Sequence, residues 1–119
     1  MRKQIRIGVG DEGATAKGFI EAWKRAVRGE QAESEHWLHF ENLEILLKTL
    51  TPARWTLLKT LRTKGPMSIR ALARELSRDY KNVHTDVQRL KEIGLVERGE
   101  DDDVEVPWDT VEARLQLAA

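Results

Sequence analysis

The stretch TPARWTLLKTLRTKGPMSIRALARELSRDYKNVHTDVQRLKEIGLVERGEDDDVEV, residues 51–106, decides the fold. It opens on Thr51-Pro52, an N-cap followed by a residue whose missing amide hydrogen costs nothing in a first helical turn. Trp55, Leu58 and Leu61 then recur on one side with Leu57 beside them, flanked by Arg54, Lys59 and Arg62. Gly65-Pro66 ends this helix, since glycine permits the exit and proline cannot continue the ladder. Ser68 caps a second, short helix with Ile69, Leu72, Ala73 and Leu76 on its buried side and Ala71 small enough for close helix contact. Arg70 and Arg74, four residues apart, project together from it. Ser77-Arg78-Asp79 reads as a tight turn, and Asp79 caps a third helix over residues 80–93.

The third helix carries the most informative geometry. At about 100° per residue, Val83, Val87 and Leu90 fall within about 60° of arc and define a buried face. Lys81, Thr85 and Gln88 lie on the far side, with Asn82 and His84 flanking them, while Asp86 borders the core and is expected to pair with a neighbouring base. Leu95 to Arg98 then reads as a strand, Gly99 to Asp103 as a tip and Val104 to Val106 as the returning strand. Three helices followed by a hairpin make the expected fold mostly α with a small β wing (α+β), a winged helix-turn-helix.

A solvated helix always has a polar face. The short helix before this one, the three-residue turn and the wing after it mark residues 80–93 as a recognition helix. Lys81, Asn82, His84, Thr85 and Gln88 are therefore the expected base-edge contacts to double-stranded DNA. Lysine donates to guanine, an amide pairs with adenine, and the threonine methyl meets thymine. Arg70, Arg74, Arg78, Arg89 and Arg98 are the expected phosphate contacts. No serine, carboxylate or second histidine forms a constellation with His84 near it in sequence, so no catalytic site is expected and the chain reads as a non-enzyme.

Charge supports this only through its distribution. The chain of 119 residues has 20 basic and 20 acidic side chains, a formal net charge of zero. Residues 53–98 hold eleven lysines and arginines against five acids, whereas residues 99–119 hold Arg114 alone against seven acids. Such segregation gives a neutral protein a local positive field. The acidic tip, Glu100 to Asp103, runs against it, because a wing that grips phosphate normally carries arginine or lysine. It points away from DNA, or meets a basic partner or a basic patch of the same protein, and it lacks the spaced ligands of a calcium loop. With no cysteine there is no disulfide or thiolate metal site. No apolar run approaches membrane-spanning length and the N-terminus is not a signal peptide, so no membrane association and a cytoplasmic location are expected.

Residues 2–9 alternate, with Ile5, Ile7 and Val9 on one face of a strand expected to pair in the wing sheet or across a dimer. Gly8, Gly10, Gly13 and Gly18 lack the spacing of a phosphate loop, leaving a turn. Residues 14–28 form an amphipathic helix through Phe19, Ile20, Trp23, Ala26 and Val27, stopped by Gly29, and residues 30–36 form a loop. His36 and His39 do not build a metal site, and no cofactor is expected. Phe40, Leu43, Leu46, Leu47 and Leu50 read as a helix whose leucine stripe packs on the central domain or a second subunit. Asp109 caps a short C-terminal helix with Val111, Leu115 and Ala118 on one stripe. The expected organisation is thus residues 1–50 for dimerisation, 51–108 for DNA binding and 109–119 as a helix for packing or dimerisation. Phe19, Ile20, Trp23, Val27 and Leu115 are the expected homodimer contacts.

Residues 68–76, then Asp79-Tyr80-Lys81-Asn82-Val83-His84-Thr85-Asp86-Val87, then Leu90-Lys91-Glu92-Ile93-Gly94-Leu95-Val96 resemble the core of MarR-like winged-helix regulators. They are especially similar to a family of small prokaryotic predicted transcriptional regulators with an Asn-Val-His motif opening the recognition helix. Phe40-Glu41, Thr51-Pro52 and Val106-Pro107-Trp108 extend the match, which covers residues 37–108. The resemblance implies a dimeric, DNA-binding repressor. Some relatives look like antitoxins, which makes a toxin a candidate protein partner. The short flanks leave little room for the ligand pocket of ordinary MarR proteins, so ligand sensing is not carried over. The rival reading is a winged-helix protein-interaction module that does not depend on DNA.

Overall fold

The computed structural model describes residues 3–10 and 35–115. The chain divides into two compact units, Met1–Lys48 with Trp108–Ala119, and Thr49–Pro107. Both mix or combine helices with small sheets, and none of the helices among the described residues is long and apolar enough to cross a membrane.

In the first unit β1 (Gln4–Val9), β2 (Glu35–Phe40) and β5 (Thr110–Arg114) form a three-stranded sheet in the order β2-β1-β5, parallel throughout. The alternation of β1 places Ile5 and Ile7 in the core, 3 % and 1 % exposed. Ile5 sits opposite His36 and Val111, and Ile7 opposite Leu38 and Ala113. On the other face the register sets Arg6 beside Trp37, with its guanidinium 5.7 Å from the indole centroid. Gln4 donates from Nε2 to Glu112 Oε2 at 2.7 Å. Trp108 is buried and meets His36 edge-on at 4.8 Å between ring centroids. α1 (Leu43–Thr49) follows β2, its first turn capped by Asn42 Oδ1, which accepts from Ile45 N–H at 2.8 Å.

Several sequence expectations change here. The N-terminal strand pairs inside its own chain, in a parallel sheet separate from the hairpin, because β2 and β5 each offer it a backbone edge. Residues 35–40 are a strand and not a loop running into a helix. Phe40, although helix-spaced from Leu43, closes β2, and its carbonyl accepts from Gly10 N–H at 3.0 Å. The C-terminal helix is corrected as well: residues 110–114 are β5, since Thr-Val-Glu-Ala-Arg also alternates and β1 has an edge to pair with. The leucine stripe splits, with Leu46 and Leu50 buried but Leu43 and Leu47 43 % and 60 % exposed. The helix expected over residues 14–28 lies outside the described residues.

In the second unit α2 (Pro52–Lys64), α3 (Ile69–Leu76) and α4 (Tyr80–Glu92) precede a hairpin of β3 (Glu97–Arg98) and β4 (Val104–Glu105). Each helix begins at the cap its sequence announces. Thr51 Oγ1 accepts from Arg54 N–H at 3.3 Å, Ser68 Oγ from Ala71 N–H at 3.1 Å and Asp79 Oδ2 from Asn82 N–H at 3.3 Å. The core is Leu57, Leu58, Leu61, Leu72, Ala73, Val83, Val87, Leu90, Leu95 and Val96, all buried. Val104 on β4 exchanges two backbone hydrogen bonds with Met67, at 2.9 and 3.2 Å, so the hairpin is tied to the residues that lead into α3.

Candidate functional site

α4 is held from three directions. Val83, Val87 and Leu90 are each 0 % exposed. Asp79 caps its start, and its end turns at Gly94, whose φ of 86° suits glycine, so that Leu95 N–H reaches back to Leu90 O at 3.0 Å. A helix locked along one face necessarily presents the opposite one. Lys81, Asn82, His84 and Thr85 are exposed and Gln88 is half-buried. The Thr85 hydroxyl donates to Lys81 O at 3.1 Å, which leaves its methyl and one oxygen lone pair for an outside partner.

Asp86 behaves as its border position suggests. It accepts from Arg54 Nε at 3.0 Å and from Arg78 Nη2 at 2.8 Å, with only 14 % of its side chain exposed. Arg54 also donates from Nη1 to Thr49 O at 2.7 Å. One carboxylate thus joins the first turn of α2, the turn between α3 and α4, and α4 itself. This places Arg78 inward: its side chain is 29 % exposed and its Nη1 is buried without a hydrogen bond.

The other arginines separate into two groups. Arg70 and Arg74 are exposed on α3. Arg89 is paired with Glu92 on its own helix at 2.9 Å, and Arg98 on β3 is paired with Asp102 at the hairpin tip. The tip is a tight turn over Glu100–Asp102 with positive φ at Asp101 (54°) and Asp102 (63°), closed by a hydrogen bond from Gly99 N–H to Asp103 O at 2.7 Å.

Tyr80 belongs to this surface and was missed by reading the core periodicity. It is 43 % exposed at the first position of α4. The Arg70 guanidinium lies 5.1 Å from its ring centroid, and His84 one turn on packs against it at 5.9 Å. Arg70, Tyr80 and His84 therefore form a continuous stack from α3 to α4. The available signal was an aromatic four residues before His84 that the buried face did not need.

Leu115 is 48 % exposed beyond β5, while Phe19, Ile20, Trp23 and Val27 lie outside the described residues. His36 and His39, an odd number of positions apart on β2, point to opposite faces of its sheet. Among the described residues no three histidine, aspartate or glutamate side chains gather as a metal site.

No curated protein matches the chain. A family model does, over the whole second unit and into β5. The chain belongs to the HVO_A0114 family, whose model matches residues 49–113.

Proposed function

We propose that residues 49–107 form a winged helix-turn-helix that binds double-stranded DNA with α4 in the major groove, in a regulator of transcription that works as a homodimer and represses. The observation that carries this reading is the exposed row Lys81, Asn82, His84 and Thr85, with Gln88 at its edge, on a helix whose opposite face is fully buried. Those side chains have the donors and acceptors that read base edges, and they begin in the first turns of the helix, where such contacts are made. Arg70 and Arg74 on the preceding helix supply phosphate contacts. Arg78 belongs instead to the Asp86 clamp, and Arg89 and Arg98 reach phosphate only by exchanging their carboxylate partners. The reading assigns no catalytic residue and no cofactor.

With Arg70 and Arg74 as the phosphate contacts of each copy, two copies neutralise about four phosphates, and the logarithm of affinity falls with that of salt with a slope of about −4. The test is binding to the duplex upstream of the chain's own gene and to a scrambled duplex, across a salt series. Tight upstream binding that falls with salt, and selectivity lost in Lys81→Ala/Gln88→Ala, is the expected result. A folded protein that prefers no duplex, genomic fragments included, overturns it.

The acidic tip favours a second reading. Arg98 is already held by Asp102, and Glu100 and Asp101 are exposed on the turn. A basic protein partner, such as the toxin of an antitoxin-type regulator, would dock there. Arg70→Glu/Arg74→Glu separates the readings, because it abolishes DNA binding and spares a partner held by the tip.

A further inference from the structure

Among the described residues, β5 has a neighbour on one side only, where β1 pairs with it. No described residue pairs with its other side, and Thr110, Glu112, Ala113, Arg114 and the following Leu115 are exposed. A bare edge invites a further strand unless charge, proline or a bulge blocks it. β5 contains no proline, and its two charges are opposite and two positions apart on one face.

That spacing makes the strand self-complementary in one register. An antiparallel copy related by a two-fold axis through the sheet keeps apolar facing apolar only when its axis passes through a residue and not between residues. Centred on Glu112, the pairing puts Glu112 against Glu112; centred on Arg114, it puts Arg114 against Arg114. Centred on Ala113, it sets Glu112 against Arg114 twice, Ala113 against Ala113, and Val111 against Leu115 twice. Opposite charges directly across a strand pair stabilise it and like charges destabilise it. Among the described residues Arg114 has no ion pair, and Glu112 accepts from the neutral amide of Gln4.

We propose that β5 is the homodimer interface: two copies pair antiparallel about Ala113, giving one six-stranded sheet in the order β2-β1-β5-β5-β1-β2. This surface takes in Leu115 and does not depend on DNA binding, while Phe19, Ile20, Trp23 and Val27 lie outside the described residues.

The test is the mass in solution of the full chain at micromolar concentration, by light scattering or sedimentation, without DNA. The wild type should run at about twice 13.7 kDa. Glu112→Arg and Arg114→Glu each turn two attractive pairs into two repulsive ones and should weaken association about tenfold or more. Glu112→Arg/Arg114→Glu restores opposite charges and should recover it, a rescue that damage to the fold would not produce. The chain has no cysteine of its own. Ala113→Cys should therefore give a disulfide-linked dimer on mild oxidation, since residues opposite each other across antiparallel strands lie within disulfide reach, and Glu112→Cys should give far less. A monomeric wild type, single variants that associate as the wild type does, or equal cross-linking at both positions would overturn the interface. DNA binding by a monomer would overturn it while leaving the α4 reading intact.

Discussion

Asp86 offers the sharpest test of how the second unit is held. Replacing it by alanine removes the acceptor of Arg54 Nε and Arg78 Nη2 together, leaving two guanidinium groups whose side chains are 16 % and 29 % exposed. Breaking a fully buried pair from one side costs about 3–5 kcal/mol, because the abandoned charge stays desolvated. Here both arginines retain some water and Arg54 keeps its bond to Thr49 O, so the expected cost falls to about 2–3 kcal/mol once exposure is discounted. For a unit of this size that corresponds to a fall in melting temperature of about 15–20 °C. Asp86→Asn keeps the shape but offers one acceptor oxygen in place of two, and should lie within about 1 kcal/mol of the alanine variant. Urea unfolding followed by far-ultraviolet circular dichroism supplies both numbers, with the denaturant slope checking that the denatured state is unchanged. A loss below about 0.5 kcal/mol for Asp86→Ala would refute the clamp, since surface pairs are worth that little.

Arg70→Ala should flatten the salt dependence of DNA binding by about one phosphate per copy with little change in stability, whereas Arg78→Ala should leave the slope alone and lower the melting temperature. Equal effects of the two on the slope would contradict their different placements. Tyr80→Ala, which frees Arg70 and His84 from their common ring, should weaken DNA binding by about 1 kcal/mol, and Tyr80→Phe, which keeps the ring face, should retain it. Titration of a fluorescent duplex distinguishes these, and a phenylalanine variant as weak as alanine would assign the effect to the hydroxyl. Leu90→Ala, at a position with no solvent exposure, should cost about 2–5 kcal/mol in urea unfolding. An unfolding midpoint unchanged from the wild type would remove Leu90 from the core.

What could be read in advance depended on how far each residue's partner lies along the chain. Thr51, Ser68 and Asp79 cap helices through amides three residues on, and local pattern suffices for these. Val83, Val87 and Leu90 share a face by helical period alone. β5 is the opposite case. Val111 and Leu115 satisfy a helical spacing, Val111 and Ala113 a strand spacing, and the choice falls to β1, more than 100 positions earlier. Phe40 was ambiguous for the same reason, helix-spaced towards Leu43 yet paired backward to Val9. At the candidate site, periodicity located the outward residues of α4 and the border position of Asp86. Which two of the many nearby arginines Asp86 binds, and that Arg78 thereby leaves the outer surface, are tertiary facts without a local signal. The Arg70–Tyr80–His84 stack likewise needs α3 and α4 to be brought together before it exists.

The parallel pairing of β1 with β5 also sets an order of events during synthesis. Lys3 and Asp109 bond each other through Lys3 N–H to Asp109 Oδ2 at 2.9 Å and Asp109 N–H to Lys3 O at 2.8 Å, a closure spanning 106 positions. At ribosomal rates of about 5–20 residues per second, β1 waits on the order of 5–20 s for that neighbour to be made. All of residues 49–107 are polymerised within that interval, and their helices, rich in local contacts, form much faster than the chain grows. The helices, which end at Glu92, therefore form while β1 still lacks β5 along one edge. During that interval the edge of β1 that β5 will occupy is a backbone edge of the kind that templates aggregation.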